Sequence, residues 1–81
     1  MKKITIYTTN NCPYCQMAKQ LLSQLNCEYK EELLVGEELK QLKEKTKMMT
    51  VPQIFIEEEL IGGYTELATL VSTNKFMEKI K

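Results

Sequence analysis

The chain has no histidine, no tryptophan, no arginine and no aspartate. Each absence removes a class of chemistry. Without histidine or aspartate, no Ser-His-Asp or Cys-His arrangement can be assembled within the chain. There is no imidazole for a metal ion and no histidine to sense pH near neutrality. Without arginine there is no guanidinium fork for a phosphate or a guanine edge. Eleven lysines balance eleven glutamates, and the formal net charge is zero. The basic excess that binds nucleic-acid phosphates non-specifically is therefore missing. No apolar run approaches the roughly 20 residues of a membrane span. The basic start Met1-Lys2-Lys3 is followed by an apolar stretch too short for a signal peptide, so the chain is expected to be cytoplasmic. What remains reactive is three cysteines, an odd number and too few for a disulfide scaffold.

The 81 residues allow one small domain, residues 1–81. A domain of this size buries only about 60% of its unfolded surface. Ile4-Thr5-Ile6-Tyr7 reads as a first strand. Asn11-Cys12-Pro13 reads as a helix start, with Asn11 as the cap and Pro13 in the first turn. Met17, Ala18, Leu21, Leu22 and Leu25 then fall at helical spacing, and Asn26 ends the helix. A second strand is expected over 27–34 and an amphipathic helix over 37–47, whose late lysines suit the helix dipole. Val51 to Ile56 is a third strand, Glu57-Glu58-Glu59 a turn, and Leu60-Ile61 a short fourth strand stopped by Gly62-Gly63. Thr65 opens a further helix. Ser72-Thr73-Asn74 either interrupts it or caps a separate last one bearing Phe76, Met77 and Ile80. The expected order is βαβαββα with a possible extra C-terminal helix, an α/β fold.

The strongest chemical signal is Cys12-Pro13-Tyr14-Cys15, which follows a strand and opens a helix. That is the context in which a C-x-x-C pair acts in redox chemistry. At a helix N-terminus, free backbone N–H groups and the dipole favour an anion. A thiolate there has a lowered pKa, attacks readily and leaves readily. Cys15, three residues on, lies on the same helical face and can reach back to close a disulfide. Half a zinc site needs two further ligands, and the chain offers only Cys27. It lies twelve residues beyond Cys15, about 18 Å if helical throughout, so Cys27 neither completes a metal site nor pairs with Cys12 or Cys15.

Cys12-Pro13-Tyr14-Cys15, Thr50-Val51-Pro52 and Gly62-Gly63-Tyr64-Thr65-Glu66, in that order and near those separations, resemble a dithiol glutaredoxin along nearly the whole chain. The resemblance implies a thioredoxin fold: a four-stranded mixed sheet flanked by helices, with the cysteine pair at a helix tip. It implies glutathione-dependent reduction of protein–glutathione mixed disulfides and of protein disulfides, with Cys12 as nucleophile and Cys15 as resolving thiol. It also implies a cis bond before Pro52, turning the Val51 backbone toward Cys12, where the cysteinyl part of glutathione could pair like an added strand. Tyr14, Thr50, Val51, Pro52, Gly63, Tyr64, Thr65 and Glu66 are the implied glutathione-binding residues. The start of the helix at Thr65 and Glu66 would meet the γ-glutamyl carboxylate, and Glu66 the ammonium.

The sequence departs from the family pattern where many members carry an aspartate at Glu66 and a basic residue at Thr9, and where some carry one at Met49. That leaves Lys40 and Lys47 as candidates for the glycine carboxylate. No metal or organic cofactor is expected, and glutathione serves as co-substrate. The expected partners are glutathione and client proteins, with no nucleic acid or membrane, and the chain is expected to act as a monomer. Two rivals stay open. One is a dimer holding an iron–sulfur cluster between two Cys12 thiolates and two glutathiones, against which Pro13 and Cys15 argue. The other is a hydrogen donor reduced by thioredoxin reductase, against which Thr65 and Glu66 argue.

Overall fold

The computed structural model describes residues 2–81; Met1, the first residue of the basic start, lies outside them. The elements are β1 (Ile4–Thr8), α1 (Pro13–Gln24), β2 (Lys30–Leu33), α2 (Gly36–Thr46), β3 (Gln53–Ile56), β4 (Glu59–Gly62), α3 (Tyr64–Ser72) and α4 (Phe76–Ile80). The strands form one mixed sheet in the order β2-β1-β3-β4. β1 runs parallel to β2 and antiparallel to β3, which pairs antiparallel with β4. This is the four-stranded mixed sheet expected for a thioredoxin fold, with the extra C-terminal helix present as α4.

Strand alternation divides the sheet into two unequal faces. Ile4 and Ile6 of β1 and Ile54 and Ile56 of β3 point one way, into a core closed by Ala18 and Leu22 of α1, Leu67 of α3, and Phe76 and Ile80 of α4. The other face carries Thr5, Tyr7 and Phe55, with the Tyr7 and Phe55 rings edge-to-face at 5.5 Å. α2 lies over that side with Leu42 toward it, yet buries no side chain fully. No helix among the described residues is long and apolar enough to cross a membrane.

Several expected boundaries shift, each for a local reason. Cys12, and not Asn11, caps α1: its sulfur accepts from the Cys15 N–H at 3.1 Å. Asn11 instead sits in the turn with φ 55°. β2 starts three residues late, because the Cys27 N–H bonds the Leu22 carbonyl and helps close the end of α1. β3 starts at Gln53, since Pro52 has no N–H to give a ladder. Glu59 belongs to β4, leaving Glu57 and Glu58 as the turn, with Glu57 at φ 54°. α3 opens one residue before Thr65, with Gly63 as its N-cap. Ser72 and Thr73 donate their hydroxyls to the Thr69 carbonyl, and α3 stops there. Asn74, at φ 61°, turns the chain into α4.

Candidate functional site

The parallel β1–β2 pair and the packing of α1 on the sheet put the start of α1 at the C-terminal end of β1. Cys12 and Cys15 are joined there as a disulfide, with their Cα atoms 5.2 Å apart. Pro13 occupies the first turn, where its missing N–H costs nothing. The two sulfurs have different surroundings. Cys15 is buried, at 1% exposure, whereas Cys12 is only half-buried. Cys12 Sγ also accepts the Cys15 N–H, a contact that favours a negative sulfur at the helix tip. It lies 3.8 Å from the Val51 carbonyl. A disulfide sulfur has no proton, so this contact becomes a hydrogen bond only in the reduced thiol form.

Beside Cys12 a cleft of about 460 Å³ opens between the α2–β3 loop and the start of α3. Its lining includes Tyr14, Thr50, Val51, Pro52, Gly63, Tyr64, Thr65 and Glu66. The structure thus brings to one place the eight residues from Tyr14 to Glu66 that the resemblance implies for glutathione, though not the two candidate lysines. The Val51–Pro52 peptide bond is cis. The Tyr14 and Tyr64 rings flank the opening with centroids 6.2 Å apart, and Tyr14 is well exposed.

The glycines have steric reasons. A Cβ on Gly63 would come within 3.2 Å of the Pro52 carbonyl oxygen. Gly62 has φ 130°, and a Cβ there would meet Cγ and Oε1 of Glu66 at 2.7 Å. Glu66 folds back over this gap, and its Oε1 accepts from the Gly63 N–H at 2.6 Å. That is the glutamate half of a capping box; glycine has no side chain to supply the other half.

Lys40 and Lys47, the lysines considered for the glycine carboxylate, do not line the cleft. Lys47 closes α2 in a left-handed conformation, one residue before Met48. Met48 does line the cleft and was missed from sequence. Its only signal is closeness to Thr50-Val51-Pro52, since a methionine is equally at home in a core. Gln53 was missed as well: a lone polar residue in an otherwise apolar strand, fully buried behind the cleft wall. The third cysteine, Cys27, is free and buried. Burial pushes its thiol pKa up. Among the described residues, no group of three or more Cys, Asp and Glu side chains converges as a metal site would need.

A family model, Glutaredoxin, matches residues 4–61. A glutaredoxin of Pseudomonas aeruginosa is 42% identical over 77 residues, covering 93% of this chain and 92% of its own length. The solution structure of a Brucella melitensis glutaredoxin matches with a TM-score of 0.88 at 34% identity, over 100% of this chain and 90% of that one. A buckwheat glutaredoxin, solved as a complex with glutathione, matches with a TM-score of 0.87 at 25% identity, over 98% and 76%. A half-exposed cysteine capping a helix, a buried partner one turn on and a cleft at their side thus occur in a chain that belongs to the glutaredoxin family.

Proposed function

We propose that this glutaredoxin is a glutathione-dependent thiol–disulfide oxidoreductase in which Cys12 attacks and Cys15 resolves. The observation that carries the role assignment is the unequal burial of the two sulfurs. Only the half-buried Cys12 can be reached by an incoming disulfide, while the buried Cys15 can reach only Cys12.

With a protein–glutathione mixed disulfide, the Cys12 thiolate attacks the glutathione sulfur. The S–S bond breaks, the client leaves as its thiolate, and glutathione is carried on Cys12. A second glutathione thiolate attacks that sulfur, releasing glutathione disulfide and restoring Cys12. With a protein disulfide, Cys12 first joins one client sulfur. Cys15 then attacks Cys12, the reduced client leaves, and the Cys12–Cys15 disulfide remains. Two glutathiones reduce it. Electrons pass from glutathione to the client with no metal or organic cofactor.

In the cleft, the cysteinyl backbone of glutathione pairs with Val51, its apolar parts lie against Tyr14 and Tyr64, and its γ-glutamyl carboxylate meets the first turn of α3 at Thr65 and Glu66. The structural likeness to the buckwheat glutaredoxin–glutathione complex supports glutathione as the ligand. The protein acts as a cytoplasmic monomer on glutathionylated and disulfide-bonded clients.

The test is a glutathione-coupled assay on a glutathionylated peptide and on a dithiol substrate. Cys12→Ser is expected to lose both activities. Cys15→Ser is expected to keep deglutathionylation and lose dithiol reduction. Loss of both in Cys15→Ser would contradict the assignment, and turnover with thioredoxin reductase in place of glutathione would contradict the co-substrate.

A further inference from the structure

Gln53 is the first residue of β3 and has no exposed surface. Its pairing with Tyr7 and its alternation with Ile54 place its side chain on the α2 side of the sheet, away from the main core. Its Nε2 donates to the Met48 carbonyl at 2.8 Å and to the Thr50 carbonyl at 3.1 Å. Two carbonyls on one side fix the orientation of the amide, because the flipped form would set oxygen against oxygen. The same orientation leaves Oε1 buried without a protein partner.

The two donated bonds belong to a longer line. The Met48 N–H donates to Thr46 Oγ1 at 3.2 Å, and that hydroxyl donates to the Leu42 carbonyl at 3.0 Å. Hydrogen bonds therefore run from the last turn of α2, through the loop at 47–50, to the start of β3. Packing holds this region weakly, since α2 buries no side chain fully. Yet Met48 and Thr50 form one wall of the cleft beside Cys12, while Gln53 stays behind that wall.

We propose that Gln53 is a positioning residue whose amide clamps Met48 and Thr50 and so sets the cleft wall against which the thiol substrate seats. This rests on the reading of the cleft as the glutathione site. Gln53 touches neither sulfur, so its removal loosens substrate fit and leaves sulfur exchange intact.

The test compares the full-length protein with Gln53→Met, which keeps the volume and removes the amide donors. KM for a glutathionylated peptide is expected to rise about threefold to tenfold, the size of one neutral hydrogen bond. The kcat is expected to stay within about twofold, and Tm within about 5 °C. Amide hydrogen exchange is expected to quicken at residues 48–50. A purely structural role would instead lower kcat in step with Tm and leave exchange in this loop no faster than elsewhere; that result overturns the proposal, as does an unchanged KM. In Gln53→Glu the side chain can donate only when protonated, so its KM relative to wild type should fall as the pH drops from about 8 to about 6. If the wild-type protein shows no glutathione-dependent turnover, the reading of the cleft fails. The exchange comparison then still decides the clamp, and equal exchange at 48–50 overturns it.

Discussion

Cys12 and Cys27 are the same residue in opposite settings. Cys12 stands half-exposed at a helix start and accepts a backbone N–H. Cys27 is 6% exposed, its sulfur lies 3.7 Å from the Leu25 carbonyl, and burial raises its pKa. In the reduced protein, iodoacetamide should modify Cys12 with a pH midpoint below about 8.5 and Cys27 far more slowly, with a midpoint above that value. Equal rates at the two sites would contradict the helix-tip account. Gly62 and Glu66 give a second test at this scale. Gly62→Ala places a methyl against Glu66 and an L-residue at φ 130°. It should cost about 1–3 kcal/mol in denaturant unfolding. Glu66→Ala in the same chain should recover only the part due to crowding.

At the scale of elements, β2 is an edge strand with no buried residue, and its hold on the body depends on polar contacts as well as on its ladder with β1. Glu31 of β2 accepts from Lys19 of α1 at 3.0 Å and from Thr8 of β1 at 2.8 Å. These hydrogen bonds, the Lys19 one foremost, lower the carboxyl pKa of Glu31. A lowered native pKa contributes stability above the unfolded value, and that contribution is lost as the pH falls through the native pKa. Glu31→Gln should therefore lower the denaturant midpoint near neutral pH and differ little from wild type once the carboxylate is protonated. The pair is largely solvated, so the effect should stay within about 1 kcal/mol. A difference that persists undiminished in acid would show that the ion pair is not its source.

For the whole molecule, the legible features were those whose chemistry is local in the chain. Cys12-Pro13-Tyr14-Cys15 carries its own geometry, since a helix start and a three-residue spacing suffice to bring the sulfurs together. Apolar alternation in Ile4–Ile6 and Ile54–Ile56 marked the two central strands. The family resemblance then supplied the cleft residues, which residues alone could not assemble from three separate loops. The unread features depend on partners distant in sequence or on unusual chemistry. Usual capping preferences favour Asn11, because they leave out a sulfur that accepts an N–H as Cys12 does. Nothing in Gln53 itself tells which carbonyls its amide will meet. Met48 joins the cleft only because the loop after α2 folds back over the end of β3.

The central claim is that glutathione is carried on Cys12, in this cleft, during turnover. Its most direct test is peptide mass mapping of Cys15→Ser after reduction and brief treatment with glutathione disulfide. The account predicts one glutathione on Cys12 and none on Cys27. Glutathione on Cys27, or none on Cys12, would contradict it.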